Sequence, residues 1–172
     1  MTLEKKKVLI YFHGGGWIIG STKDNHAFTR GLAKETGYLV VSVDYRLAPE
    51  HVFPTAINDA YAALEWVLEH IGEYGGDREQ VIIAGESAGG NLAAAVTSRF
   101  LANQNFLDCN FSSCSIVAHA GPSHGIVGLW LMYPPLNTTS QTPEAEEYDK
   151  LSNVLTIDRI ELMRSLYREN LS

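Results

Sequence analysis

The fold of this chain is decided by one stretch, residues 81–94, which has the sequence VIIAGESAGGNLAA. Four apolar residues lead into Gly85-Glu86-Ser87-Ala88-Gly89 and then into a helix-forming segment, a pattern that predicts a strand, a sharp turn and a helix. A nucleophilic serine must project clear of the backbone, so the residues two before and two after it must be small. Glycine occupies both places, and Ser87 is therefore the candidate nucleophile.

The same pentapeptide also fits a strand-to-helix turn without chemistry, because Gly-x-Ser-x-Gly occurs by chance. A helix that starts at Ala88 would direct its free N–H groups and the positive end of its dipole toward Ser87. Negative charge develops there when a serine attacks an ester carbonyl. The choice between the two interpretations depends on the rest of the chain.

Length and composition indicate one ordinary globular domain over residues 1–172, with 45% hydrophobic and 19% charged residues. The net charge of −7 disfavours nucleic acid as a partner, since nucleic acid attracts basic surfaces. Residues 8–12 are too short an apolar run for a signal-peptide core or a membrane span. Two cysteines fit a reducing compartment. We expect a cytoplasmic protein, and membrane association stays open because an N-terminal segment could be missing.

A second glycine-rich turn follows the first predicted strand. Residues 8–12, VLIYF, form a continuous apolar run typical of a strand buried on both faces. They lead into His13-Gly14-Gly15-Gly16-Trp17, whose glycines can bring backbone N–H groups close to a ligand. The turn is either a flexible connection or an oxyanion hole, and its pairing with the serine turn favours the oxyanion hole. His13 is then expected to orient the loop and not to act as a base.

Strands and helices alternate along the chain over short connections that are marked by glycine. We expect a helix that is capped by Asp24 or Asn25 and ended by Gly37, and a second helix at residues 55–71. Further buried strands are expected at 38–43 and 126–133. This alternation predicts a doubly wound, mostly parallel α/β sheet. Ser87 then lies at the carboxyl end of a central strand, where such sheets place their active sites.

Three motifs in this order closely resemble the hormone-sensitive-lipase branch of the α/β-hydrolases, which includes carboxylesterases and arylacetamide deacetylases. They are HGGGW at 13–17, DYRLAPE at 44–50 with Pro54, and GESAGGN at 85–91. The resemblance implies a carboxylic ester hydrolase with Ser87 as nucleophile and a small apolar ester as substrate. Acyl transfer of this kind requires no metal and no organic cofactor.

The resemblance also implies roles for the residues around the nucleophile. The oxyanion hole would be made by the backbone N–H groups of Gly15, Gly16 and Ala88. Residues that support the two motifs would be His13, Gly14, Gly85, Glu86 and Gly89. Arg46 and Glu50 are carried over in a structural role only.

The sequence departs from the family pattern in three places. It begins almost directly on the HGGG strand, so we expect an incomplete sheet that is truncated at both ends. Residues 103–125 form an irregular insertion. Residues 137–172 resemble part of a helical cap, with Ile157, Ile160, Met163, Leu166 and Tyr167 on one helix face. The catalytic acid and histidine, which follow the serine in this family, are predicted to be absent from the chain.

Two alternatives within these departures stay open. Cys109, Cys114, His119 and His124 follow one another at five-residue steps, which invites a zinc site, but the spacing matches none of the common zinc patterns. We therefore predict no metal. Asp108 with His119 or His124 has the order of a triad within the insertion, whereas no histidine follows Asp149 or Asp158.

Two functions remain. The first is a serine ester hydrolase, and the second is a non-catalytic member that binds a small molecule, similar to the gibberellin receptors.

Overall fold

A computed structural model describes residues 4–103, 125–136 and 157–168 of the chain. In chain order its elements are β1 (Lys6–Phe12), α1 (His26–Thr36), β2 (Leu39–Val43), α2 (Thr55–His70), a 3-10 helix (Ile71–Tyr74), β3 (Gly76–Glu86), α3 (Ala88–Asn103), β4 (Ile126–Met132) and α4 (Ile157–Arg168). The predicted alternation of strands and helices is confirmed. Most of the predicted insertion at 103–125 and part of the cap-like segment lie outside the described residues.

The four described strands form one parallel sheet in the order β2-β1-β3-β4. Phe12 of β1 lies opposite Gly85 of β3, and Gly85 lies opposite Leu131 of β4. The carboxyl ends of these three strands are therefore level with one another. Because parallel strands end on the same side of a sheet, the turn after β1 lies beside the turn after β3.

Helices cover both faces of the sheet, as a doubly wound fold requires. Val8, Ile10 and Phe12 of β1 belong to the larger core, which also contains side chains of α2 and α3. The alternate residues Leu9 and Tyr11 belong to a smaller core on the other face. There the Tyr11 ring lies 5.5 Å from the ring of Phe28 on α1.

Two strands that were predicted to be buried are only half buried. β2 and β4 occupy the two edges of the described sheet, and Val127 and Trp130 of β4 remain 38% and 40% exposed. The prediction of full burial is wrong for these strands because an edge strand has a neighbour on one side only. β1 and the apolar part of β3 lie between other strands and fit the prediction.

The ends of the helices follow the sequence signals with small differences. Gly37 adopts the left-handed conformation with φ 71° and ends α1 as predicted. Asn25 occupies the position before α1, but within the described residues its side chain makes no capping hydrogen bond. α2 ends at His70, one residue earlier than predicted. No helix among residues 4–103, 125–136 and 157–168 is long and apolar enough to cross a membrane.

The DYRLAPE segment holds α2 and the glycine turn in place. The Arg46 guanidinium donates two hydrogen bonds to the Asp59 carboxylate of α2, at 2.9 and 2.7 Å. These bonds hold the pKa of Asp59 below its usual value. The Tyr45 hydroxyl donates to the buried carbonyl of His13 at 2.6 Å. Glu50 is exposed, so the structural role is visible for Arg46 and not for Glu50.

Two glycines set the distance between α3 and the carboxyl end of β1. A Cβ on Gly89 would overlap the carbonyl oxygens of Phe12 and His13. A Cβ on Gly85 would overlap the backbone of Gly89. The small residues that the sequence places two before and two after Ser87 are therefore required by direct backbone contact.

We expect Gly89→Ala to destabilise the fold by about 3 kcal/mol, because the added methyl group must push α3 away from β1. The matched control is Gly31→Ala within α1, where a Cβ meets nothing within 4 Å. That variant should be stabilised by about 0.5 kcal/mol, since alanine replaces glycine inside a helix. Urea unfolding followed by circular dichroism measures both, and equal stabilities of the two variants would contradict the close contact.

Candidate active site

Ser87 lies between the last residue of β3 and the first residue of α3, as the strand–turn–helix pattern predicts. Its φ of 50° is in the left-handed region, which residues other than glycine rarely adopt. The Ser87 amide donates to the carbonyl of Met132 at 2.9 Å, and the Ser87 carbonyl accepts from the amide of Asn91 at 3.0 Å. The strained turn is thus held on both sides by backbone hydrogen bonds.

The glycine turn after β1 lies beside Ser87. Gly15 and Gly16 have φ values of 117° and 61°, which favour glycine. Within the described chain neither amide has a backbone acceptor. Ala88 is the first residue of α3, and the first N–H groups of a helix have no partner inside it. All three residues line one cavity together with Ser87.

His13 is buried beneath this turn and lines neither cavity that contains Ser87. Its ring stacks on Tyr45 with the ring centroids 4.3 Å apart. Nδ1 lies 2.7 Å from the Gly14 carbonyl oxygen and donates to it. The geometry fits a side chain that shapes the glycine turn and does not contact a substrate.

The first cavity that contains Ser87 has a volume of about 420 Å³, within the usual range for small-molecule sites. Its other walls are mainly apolar. They consist of Trp17, Tyr133, Pro135, Ile160, Met163 and Arg164, with Gly15, Gly16 and Ala88 beside the serine. We call it the apolar cavity.

Helix α4 covers the apolar cavity and packs directly on the glycine turn. The Tyr167 ring stacks on Trp17 with centroids 4.6 Å apart and an interplanar angle of 7°. The Tyr167 carbonyl accepts a hydrogen bond from the amide of Phe53 at 2.8 Å. The Met163 side chain lies against Gly16, where any Cβ would overlap its sulfur. Met163 and Tyr167 of the predicted apolar face therefore contact the glycine turn, and Ile160 and Met163 line the cavity with Ser87.

The second cavity that contains Ser87 is more open and has a volume of about 540 Å³. Its walls include three polar side chains, Asp24, Asn25 and Glu86, together with Gly14, Gly15, Ile19, Gly20 and Tyr133. We call it the polar cavity. Asn25, which was expected to cap α1, contributes to this wall.

Glu86 connects this cavity to the end of β4. The Tyr133 hydroxyl donates to Glu86 Oε2 at 2.7 Å, and the Gly14 amide lies 3.5 Å from Oε1. Partial burial acts to raise the pKa of Glu86, but hydrogen bonds, that of Tyr133 first, outweigh it and the pKa lies below its ordinary value. Glu86 was predicted as motif support. Tyr133 was missed, although its place after the strand next to β3 was a usable signal.

Neither cavity is lined by a histidine. The absence of the catalytic acid and histidine from the chain stays a prediction. Asp158 is exposed on α4. Asp108, Asp149, Cys109, Cys114, His119 and His124 lie outside the described residues. In residues 4–103, 125–136 and 157–168 no three His, Cys, Asp or Glu side chains are grouped to hold a metal ion.

Comparison with known proteins agrees with this architecture. The family model described as the α/β hydrolase fold matches residues 9–172. Carboxylesterase NlhH of Mycobacterium tuberculosis is 48% identical over 89 residues, 52% of this chain and 28% of that protein. Carboxylic ester hydrolase LipN of the same species is 38% identical over 78% of this chain and 32% of that protein. Rabbit (Oryctolagus cuniculus) arylacetamide deacetylase is 44% identical over 56% of this chain and 25% of that protein.

Solved structures of esterases have the same fold. A hyperthermophilic esterase of Pyrobaculum calidifontis superposes with a TM-score of 0.80 at 35% identity, over 98% of this chain and 52% of that one. A thermostable carboxylesterase from a metagenomic library gives a TM-score of 0.82 at 32% identity, over 99% of this chain and 52% of that one. The chain thus spans about half the length of these solved esterases and about a third or less of the curated relatives named above.

We expect Glu86 to make the stability of the fold depend on pH in the acidic range. The pKa of Glu86 is lower in the folded chain than its ordinary value of 4.5. The ionised carboxylate therefore contributes to the free energy of unfolding at pH values above 4.5. The contribution is lost as the pH falls through the lower folded pKa. Glu86→Gln should therefore lose less stability than the parent between about pH 5 and pH 3.

The matched variant is Tyr133→Phe, which removes the hydrogen-bond donor and leaves the carboxylate. It should also lose less stability on acidification than the parent. Urea unfolding at a series of pH values gives the free energy of unfolding for all three proteins. If the free energy of unfolding depended on pH in the same way in all three proteins, Glu86 would not contribute in this way.

Proposed function

We propose, since the chain belongs to the α/β hydrolase family, that it forms part of a carboxylic ester hydrolase in which Ser87 is the nucleophile. One observation carries the proposal: Ser87 lines one cavity together with Gly15, Gly16 and Ala88, whose amides have no backbone partner in the described residues. Such donors are what a developing oxyanion needs. The names of the matched relatives as carboxylesterase, ester hydrolase and deacetylase support the same reaction class.

The reaction that this geometry supports is acyl transfer in two steps. Ser87 Oγ gives up its proton to a base and forms a bond to the acyl carbon. The carbonyl electron pair moves onto oxygen, where the N–H groups of Gly15, Gly16 and Ala88 stabilise it. The tetrahedral intermediate collapses, the C–O bond to the alcohol breaks, and the alcohol leaves with a proton. Water then attacks the acyl group in the same way, which releases the acid and restores the serine.

The substrate implied by the cavity is a small ester with an apolar part. Trp17, Ile160 and Met163 provide hydrocarbon and sulfur surface within the same space as Ser87. A volume of about 420 Å³ suits a short acyl chain or a single aromatic ring. In this proposal α4 serves as the part of a cap that closes the site.

The proton acceptor for Ser87 is the missing part of this mechanism. A serine without a base keeps a high pKa and is a poor nucleophile. No histidine of the described residues lines either cavity with Ser87. We infer that the base and the acid that orients it are not among the described residues. Without them only the residual activity of an oxyanion hole would remain.

The same observation supports a second candidate, a protein that binds a small apolar molecule and does not cleave it. The apolar cavity is formed and is covered by α4, whereas no histidine of the described chain lines either cavity with the serine. A binding protein needs only the cavity. The two candidates differ in whether Ser87 can be made to react.

We expect the purified chain to hydrolyse p-nitrophenyl acetate at nearly the rate of its Ser87→Ala variant. Added imidazole supplies a diffusible base, and the parent should then exceed Ser87→Ala by about tenfold after subtraction of the reaction without protein. The expected increase in rate is smaller than the increase that a positioned base gives, because imidazole must diffuse to Ser87 from solution. Release of p-nitrophenolate measures the rate.

The control is Ser98→Ala, which removes an exposed serine of α3 and should behave as the parent. Equal rates of the parent and Ser87→Ala with imidazole would reject Ser87 as nucleophile and favour the binding protein. Rapid Ser87-dependent hydrolysis without imidazole would show that this chain already contains a base.

A further inference from the structure

The apolar cavity and the polar cavity meet at the nucleophile. Gly15, Ser87 and Tyr133 line both of them, and the two cavities share no other residue among those that the structure describes. The boundary between the two spaces therefore consists of the serine, one residue of the glycine turn and the Tyr133 side chain. Of these three, only Tyr133 has a side chain large enough to separate them.

The two cavities differ in chemistry on either side of this boundary. The apolar cavity presents Trp17, Ile160 and Met163, and its one charged lining residue in the described chain, Arg164, donates to Glu161 at 2.6 Å. The polar cavity presents the carboxylates of Asp24 and Glu86, and neither lysine nor arginine is among its lining residues. One Asp24 oxygen already accepts a hydrogen bond from the Ser21 hydroxyl at 2.7 Å. Groups that donate hydrogen bonds suit the polar side, and hydrocarbon suits the other.

Tyr133 is held at this boundary from three directions. The residue before it, Met132, accepts the hydrogen bond from the Ser87 amide. Asn91 Nδ2 donates to the carbonyl of Pro135 at 3.1 Å, which fixes the chain after it. The hydroxyl is bonded to Glu86, and the backbone adopts a φ of 39°. The ring is 72% exposed, as expected of a partition that has open space on both faces.

An ester bound at Ser87 must place two substituents in different directions. Its carbonyl oxygen points to the N–H groups of the oxyanion hole, so the acyl chain and the alkoxy group diverge from the reacting carbon. We propose that Tyr133 is a specificity-determining residue that sends a hydrocarbon substituent into the apolar cavity and a hydroxylated substituent into the polar cavity. The preferred class of substrate, which rests on the proposed function, is therefore an ester with one apolar and one hydroxylated side.

The test measures binding to the Ser87→Ala chain, so that no ester is cleaved. The probes are glyceryl monohexanoate and propyl hexanoate, which have the same acyl group and the same number of alcohol carbons and differ by two hydroxyl groups. Isothermal titration calorimetry gives the two dissociation constants. We expect glyceryl monohexanoate to bind more tightly, and we define the selectivity as the ratio of the two constants.

Adding the Tyr133→Asn substitution to the Ser87→Ala chain should reduce this selectivity by at least about fivefold. Without the tyrosine ring the two cavities join, and propyl hexanoate can then occupy both. Asparagine adopts positive φ more readily than most residues, so it removes the ring and keeps the turn. Tyr133→Phe keeps the ring and should stay within about twofold of the Ser87→Ala parent. Tyr74→Asn, at an exposed tyrosine that lines neither cavity, should leave the selectivity unchanged.

Unchanged selectivity in a folded Tyr133→Asn variant would overturn the proposal, and so would the absence of binding of both probes to the parent. An equal loss in Tyr133→Phe and Tyr133→Asn would also overturn it, since the hydroxyl and not the ring would then carry the selectivity. Because Ser87 is absent from all these proteins, the result does not depend on whether Ser87 attacks esters. The imidazole experiment decides that question separately.

Discussion

The site depends on the direct contact between the backbone of Gly89 and the carbonyl oxygens at the end of β1. No side chain fits between them, so the first turn of α3 lies against the residues that begin the glycine turn. The contact fixes Ser87 relative to Gly15 and Gly16, although these segments are far apart in the sequence. Parallel pairing of β1 with β3 sets the level at which the two turns meet, and the glycines set how close they come.

The surroundings of Ser87 are assembled from four separate segments. The glycine turn and the start of α3 supply N–H groups, the end of β4 supplies Tyr133, and α4 supplies Ile160 and Met163. Each segment is bonded or packed to another, as in the hydrogen bond between Tyr133 and Glu86 and the contact of Met163 with Gly16. The described chain therefore surrounds Ser87 with backbone of the glycine turn and of α3 and with apolar side chains, and no histidine of the described residues lines either cavity.

The sequence predicts those features that follow from local steric demands. Glycine at 85 and 89 is needed for the turn whatever surrounds it, so the strand, the turn and the helix were predictable. The half-buried state of β2 and β4 does not follow from their composition, because an apolar run has the same composition in a central strand and in an edge strand. The hydrogen bond of Tyr133 joins it to a residue 47 positions away, and no local pattern encodes such a contact. The contact of α4 with Gly16 was missed for the same reason.

The stacking of Tyr167 on Trp17 makes the fluorescence of Trp17 an intrinsic probe of this part of the molecule. Trp17 is 5% exposed, whereas Trp66 and Trp130 are 44% and 40% exposed. Buried indole emits at shorter wavelength than indole in water, so the blue part of the emission spectrum belongs mainly to Trp17. That indole also lines the apolar cavity. Its emission therefore reports whether α4 lies on the glycine turn and whether the cavity is filled, without any dye attached to the chain.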